Sequence, residues 1–176
     1  HRYSSAASDV YKRQAQSETW AEKLGLGTLR ESDEPLVNDL LDLLGATEVD
    51  MTLFFRHLCS INEPDVAHVA DAFYEGSEPD TSAWNRWLKR WWERVDGQPD
   101  RDGMRRANPK YVLRNWMAQL AIDAAEERDD FSVAEELHEL LKRPYDEQPE
   151  HEAKWFQKRP EWARHRVGCS MLSCSS

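Results

Sequence analysis

The centre of the chain reads Ala107-Asn108-Pro109-Lys110-Tyr111-Val112-Leu113-Arg114-Asn115-Trp116. Asn108 is a good helix N-cap, because an Asn side-chain oxygen can accept a backbone N–H of the first turn. Pro109 suits the next position, where its missing N–H costs nothing. Apolar residues then recur with the spacing of one helix face, at Leu113, Trp116, Met117, Leu120, Ala121 and Ala124. The stretch therefore predicts a central helix from Asn108 to about Glu127 with one buried face.

The polar residues at the start of this predicted helix have an ordinary interpretation. Lys110, Arg114 and Asn115 would occupy its first two turns, and charged groups on an amphipathic helix are usually solvated. The buried face should consist of Trp116, Met117 and Leu120. We expect its packing neighbours to come from Leu40, Phe54, Trp87, Leu88 and Leu137.

Composition limits the class of protein. The chain has 176 residues, of which 40% are hydrophobic and 32% charged, as in a globular domain with a real core. The net charge of −10 argues against a nucleic-acid partner, because phosphate binding requires clustered Lys and Arg. No apolar run approaches the ~20 residues of a membrane span, and no segment resembles a signal peptide. Three cysteines without framework spacing favour a reducing, cytoplasmic location.

Helical patterns continue on both sides of the central stretch. Asp50 can cap a helix from Met51 to about Ser60, and another helix is expected from about Asp65 to Tyr74. Turn-forming residues predict loops at 75–82 and 97–103. Period-2 alternation is missing throughout, so the sequence predicts an all-α, irregular multi-helix fold without a significant sheet.

One of these helices carries an aromatic stripe, formed by Trp84, Trp87, Leu88, Trp91 and Val95. Such a stripe can stack nucleobases or line a ligand groove. Packing against neighbouring helices is the better interpretation in an acidic chain.

Motifs that carry chemistry are hard to find in this sequence. No glycine pair has the phosphate-binding fingerprint. His138-Glu139 starts like a zinc-protease motif but lacks the second His. Sequence motifs alone therefore indicate no recognisable active site in this chain.

The three cysteines differ in position and in expected reactivity. Cys174 is third from the end between serines, and an exposed cysteine of this kind can reach a partner thiol or remain an unreactive free thiol. Cys169 lies five residues earlier, which is not the Cys-x-x-Cys spacing of redox motifs. Cys59 follows Leu58 near the end of a predicted helix, so we expect a buried, inert thiol.

The central stretch also carries a family resemblance. The run Asn108-Pro109-Lys110-Tyr111-Val112-Leu113-Arg114-Asn115 resembles the C-terminal region of the selenoprotein O family. Further pieces agree in the same order, namely Arg143-Pro144-Tyr145-Asp146-Glu147, Pro160-Glu161-Trp162-Ala163 and the end Ser173-Cys174-Ser175-Ser176. The resemblance spans roughly residues 17–176, and ordered motifs are more specific than any one of them.

The resemblance implies a kinase-like fold and protein adenylyltransferase activity. Members transfer AMP from ATP to Ser, Thr or Tyr hydroxyls of protein substrates, assisted by Mg or Mn. Their nucleotide-binding, catalytic and metal-binding residues lie upstream of the matched region. The chain is therefore expected to be an inactive C-terminal fragment that packs against its own upstream kinase-like core. A stand-alone helical interaction module is the alternative.

The resemblance further implies a redox role for Cys174. The family ends in a Cys or selenocysteine at this position, which can bridge to an upstream Cys of the catalytic core. Many relatives have another Cys three residues earlier, where this chain has Met171. The local pairing is thus open, and the long-range bridge is compatible with the sequence.

Three segments are expected along the chain. Residues 1–14 resemble a translated sequencing-adapter read and are expected to be non-native. Residues 15–166 form the helical region, and residues 167–176 form a flexible, Cys-containing tail.

Overall fold

The structure is a computed structural model, and it describes residues 19–169. The helices are α1 (Glu34–Ala46), α2 (Met51–Leu58), α3 (Thr81–Arg94), α4 (Arg101–Ala107), α5 (Asn115–Arg128), α6 (Ser132–Leu141), α7 (Pro149–Trp155) and α8 (Glu161–Arg164). Residues 19–23 are also helical, and Glu31–Asp33 and Val66–Ala72 form 3₁₀ helices. Within residues 19–169 the β-structure is one isolated bridge, between Val49 and Phe73. The all-α prediction is confirmed.

Aspartate side chains start several of these helices. Asp50 accepts the backbone N–H of Leu53 at the start of α2, as predicted. Asp80 and Asp100 accept backbone N–H groups in the same way before α3 and α4. Each cap satisfies a donor that the first helical turn leaves free, which explains where these helices begin.

The tryptophan stripe of α3 forms the centre of a first hydrophobic cluster, whose residues lie between Leu24 and Met104. Trp84, Trp87, Leu88 and Trp91 are all buried. The indole N–H groups of Trp87 and Trp91 donate to the carbonyl oxygens of Leu36 and Leu24, at 2.8 and 2.9 Å. Core packing is therefore the correct interpretation of the stripe.

A second hydrophobic cluster surrounds the inner face of α5. It contains Tyr111, Trp116, Met117, Leu137, Leu140, Trp155, Ala163 and Cys169, with Leu120 partly buried against it. Burial of Trp116 and Met117 is confirmed, and Leu137 is a neighbour as expected. The other four expected neighbours belong to the first cluster, so that part of the prediction was wrong.

The central helix begins later than the sequence pattern predicts. The first residue of α5 is Asn115, and Arg114 before it is extended (φ −109°, ψ 154°). Asn108 instead ends α4, whose first three residues lie in the stretch 97–103 that was predicted to be a loop. Leu113, expected on the buried face, is 50% exposed.

Long-range hydrogen bonds explain this difference. The backbone N–H groups of Lys110 and Tyr111 donate to the carbonyl oxygen of Pro144, at 2.8 and 3.0 Å. A residue before proline is also biased towards extended backbone, as Asn108 is here. The backbone of Lys110 and Tyr111 therefore bonds to a distant segment, and the local apolar spacing does not become a helix.

Asp33 and Arg94 form a buried ion pair between the start of α1 and the end of α3. The Arg94 Nε and Nη2 atoms donate to the two carboxylate oxygens of Asp33 at 2.6 and 2.9 Å, and the side chain of Asp33 is 3% exposed. Burial alone would raise the pKa of Asp33, but the bonds from Arg94 and from the Arg30 backbone N–H outweigh it and hold that pKa below its ordinary value.

This depressed pKa predicts a pH dependence of stability. The stabilisation from ionised Asp33 is fully present above the pKa that this group has in the unfolded chain, near 3.8. The stabilisation is lost as the pH falls through the lower pKa of Asp33 in the folded protein. Asp33→Asn should therefore be less stable than the parent at about pH 7, and the difference should shrink towards about pH 3. Urea unfolding across that range measures it, with Asp39→Asn at the exposed Arg90 pair as control. Parallel curves for Asp33→Asn and the parent would contradict the assignment.

No helix in the part of the chain that the structure describes combines the length and apolar character required to cross a bilayer.

Candidate functional site

The residues that carry the resemblance form an extended strip between the two hydrophobic clusters. The strip runs from Asn108, at the end of α4, to Arg114, before α5. Asn108, Lys110, Tyr111 and Arg114 are all buried. Since buried polar groups must be bonded to be tolerated, the partners of each side chain show what the motif does.

Asn108 joins the first helical segment to α4. Its Oδ1 accepts from Lys23 Nζ at 2.8 Å, and its Nδ2 donates to the carbonyl oxygens of Lys23 and Met104 at 3.0 and 2.9 Å. The Asn108 carbonyl oxygen accepts from Arg56 Nη1 at 3.0 Å. The amide is therefore occupied on both sides and is not available to a ligand.

Lys110 bonds two acidic side chains from the far end of the chain. Its Nζ donates to Glu147 Oε2 at 2.9 Å and to Glu152 Oε2 at 2.8 Å, while its side chain is 4% exposed. Burial alone would lower the pKa of Lys110, but the bonds to Glu152 and Glu147 outweigh it and raise that pKa. Lys110 is therefore a charged structural link, and the expectation of a solvated side chain was wrong.

Tyr111 and Arg56 fix the same turn that holds Glu147. The Tyr111 hydroxyl lies within hydrogen-bond distance of the carbonyl oxygens of Glu147 and Gln148, at 2.9 and 3.0 Å. Burial raises the pKa of Tyr111. Arg56 Nη2 donates to Glu147 Oε1, and Arg56 Nη1 to the carbonyl of Arg105. Burial alone would raise the pKa of Glu147, but the bond from Lys110 and the charge of Arg56 lower it overall.

Arg114 connects the strip to the first cluster through Asp50. Its Nη2 donates to Asp50 Oδ1 at 2.8 Å, and its Nη1 bonds Asp50 Oδ2 and the carbonyl of Gln157. The Arg114 and Asp50 side chains are 9% and 4% exposed. The Arg114 Nε is buried without a hydrogen-bond partner among the described residues. This fork is the most buried charge pair of the motif.

The remaining predicted site residues lie outside this network of buried ion pairs. Pro109 is half-buried, and Asn115 begins α5. Cys59 is buried as expected: its thiol lies 3.1 Å from the Phe55 carbonyl, and burial raises its pKa. Cys169 belongs to the second cluster. Cys174 lies outside the described residues.

Two important partners, Asp50 and Arg56, were not predicted to bind the motif. Asp50 was predicted to cap a helix, and the pattern from Asp50 to Arg56 also fits the family resemblance, but no contact with Arg114 was predicted. Arg56 follows Phe54 and Phe55 on a largely apolar helix, and a charged residue in that position is the one local signal of a buried partner.

An open cleft of about 530 Å³ adjoins this network. Its charged lining is balanced, with three basic and three acidic side chains: Arg56, Arg105, Arg143, Asp146, Glu147 and Glu150. Within residues 19–169 no three His, Cys, Asp or Glu side chains converge as a metal site requires.

Comparison of the sequence with known proteins identifies a family. A family model described as protein adenylyltransferase SelO matches residues 4–142. That range begins within residues 1–14, whose non-native origin stays a prediction.

Three relatives are each named protein nucleotidyltransferase YdiU. The one from Flavobacterium johnsoniae is 46% identical over 172 residues, which is 90% of this chain and 33% of the relative. The one from Azoarcus sp. is 45% identical, over 96% of this chain and 34% of the relative. The one from Rhodopirellula baltica is 47% identical, over 89% and 33%. The chain thus spans about one third of the length of these relatives.

Proposed function

Because this chain belongs to the SelO family of protein adenylyltransferases, we propose that it forms the helical C-terminal part of an enzyme that transfers AMP from ATP to proteins. The acceptors are Ser, Thr or Tyr hydroxyls of protein substrates, and Mg or Mn assists. ATP and the metal bind in a kinase-like core formed by the rest of the chain. The observation that carries this proposal is the 45–47% identity over about nine tenths of the chain or more to proteins named as nucleotidyltransferases.

The contribution of the present residues to that activity is structural. Asn108, Lys110 and Arg114 direct their polar groups into contacts within the chain. Groups bonded in this way hold the two hydrophobic clusters in one arrangement, on which a neighbouring catalytic core can rest. The motif from Asn108 to Asn115 is therefore proposed to have a structural role and to make no contact with the phosphates of ATP.

A chimeric enzyme tests the proposal. This chain replaces the matching third of the Flavobacterium johnsoniae relative, and the chimera is incubated with labelled ATP, Mn and an acceptor protein. We expect label transfer by the chimera and none by the 176-residue chain alone, because the nucleotide-binding residues lie in the remaining part.

The parent relative and a no-enzyme sample are the controls. A folded chimera without transfer would contradict the proposed function. Transfer by the isolated chain would show that an active site is present within these residues.

The redox role of Cys174 belongs to the same proposal. In the full-length protein Cys174 would form a reversible disulfide with a cysteine of the kinase-like core, closing a long loop. Mass-spectrometric thiol mapping of the oxidised full-length protein checks it. A Cys174 that stays free, or pairs with Cys169 alone, would remove this tether.

A further inference from the structure

Helix α5 carries apolar residues on the side that faces away from the second cluster. Met117 and Ala124 on its inner side are buried, whereas Ile122 is 46% exposed. Ala118 and Ala125 share the face of Ile122, since residues three and four apart lie together on a helix. A helix that is apolar on both sides normally has neighbours on both sides.

Two more exposed apolar side chains lie in the segment that Arg166 connects to α5. Asp123, the residue after Ile122, accepts two hydrogen bonds from Arg166, at 2.7 and 2.8 Å. The Arg166 guanidinium carbon lies 5.8 Å from the ring centre of Trp162, and Val167 follows Arg166 in the chain. Trp162 is 44% exposed and Val167 is 90% exposed. We name Ile122 of α5 and Trp162 and Val167 of the segment around α8, which the Asp123–Arg166 pair connects to α5, the α5–α8 patch.

The charged pair does not prevent this patch from being covered. Burying a charge is costly when it has no partner. Asp123 and Arg166 already form a bidentate ion pair, and Asp123 also accepts a hydrogen bond from Gln119 Nε2 at 2.8 Å. A surface that covers the patch would therefore remove apolar area from water without leaving a charge unpaired.

We propose that the α5–α8 patch is the docking surface for the part of the SelO-family polypeptide that lies outside these 176 residues. The inference rests on the proposed function. This chain aligns with only 33% of the length of its Flavobacterium johnsoniae relative, so most of that relative is available to cover exposed apolar surface. The occupant presents apolar side chains to Ile122, Trp162 and Val167, and the contact is intramolecular in a full-length enzyme.

Thiol labelling of the isolated chain and of the chimera tests the proposal. Ile122→Cys and Leu41→Cys are made separately, each with Cys174→Ser, and peptide-resolved mass spectrometry follows their modification. Leu41 is a matched control, because it is 44% exposed on α1. Both probes should react at similar rates in the isolated chain. In the chimera the rate at Ile122→Cys should fall at least ~10-fold, and the rate at Leu41→Cys should stay within ~2-fold, since thiol reactivity follows exposure.

Any other result would contradict the docking surface, the proposed function or both. Undiminished labelling of Ile122→Cys in a chimera that transfers nucleotide would overturn the docking surface and leave the proposed function in place. Protection in a folded chimera without transfer would support the surface and contradict the function. Protection that grows with the concentration of the isolated chain would assign the patch to a second copy and overturn the proposal. A chimera that does not fold would contradict both.

Discussion

Replacing Arg114 with Met is expected to lower the free energy of unfolding by about 3–5 kcal/mol. The substitution preserves most of the side-chain volume but leaves the Asp50 carboxylate, whose side chain is 4% exposed, without its charged partner. The remaining contacts of Asp50, from the Leu53 N–H and the Tyr74 hydroxyl, do not neutralise its charge. Urea unfolding followed by tryptophan fluorescence measures the loss.

Two further variants separate this effect from general damage. Arg90→Met removes a pair whose side chains are about half exposed, and it should cost no more than about 1 kcal/mol. The double variant Asp50→Asn/Arg114→Met removes the stranded charge and keeps a capping side chain. It should recover a large part of the stability lost in Arg114→Met. Equal losses for Arg114→Met and Arg90→Met would contradict the structural role of the fork.

Trp155→Ala is expected to have a comparable cost, about 3–5 kcal/mol, because it opens a large cavity in the second cluster. Trp155 is 1% exposed, and its ring stacks on Trp116 with centroids 5.8 Å apart. Its indole N–H donates to Glu136 at 2.8 Å. The short helix α7 has no other fully buried large side chain to hold it in place.

Trp162→Ala provides the matched control for the tryptophan prediction. Trp162 is 44% exposed, so its removal from the isolated chain should change the stability by no more than about 0.5 kcal/mol. Thermal unfolding of both variants measures the difference. Similar losses in the two variants would show that Trp155 is not at the centre of a cluster.

The sequence predicted those features that depend on local physics. The cap at Asp50 and the buried tryptophans of α3 follow from hydrogen-bonding capacity and apolar spacing within a few residues. The start of α5 could not be found in this way. Leu113 has the spacing of a buried helical residue, yet it lies on an extended strip.

Long-range pairing explains that failure. Arg114 bonds Asp50, which is 64 residues away, and Lys110 bonds Glu147, which is 37 residues away. The sequence around Asp50 and Glu147 does not indicate that either residue pairs with the motif. A charged residue in a sequence pattern can be solvated on a helix surface or buried in an ion pair, and the pattern is the same in both cases. The resemblance identified the 108–115 and 143–147 pieces as separate ordered motifs, whereas the structure shows which side chains join them.

Native-state hydrogen exchange tests the central claim that the strip unites the two clusters. The Tyr111 amide bonds the Pro144 carbonyl at 3.0 Å, and the amides of Leu58 in α2 and Leu140 in α6 report on the first and second clusters. If the strip joins the clusters into one cooperative unit, all three amides should exchange with the same opening free energy, equal to that of global unfolding. Exchange of Tyr111 through a low-energy local opening, with different opening energies for Leu58 and Leu140, would contradict that claim.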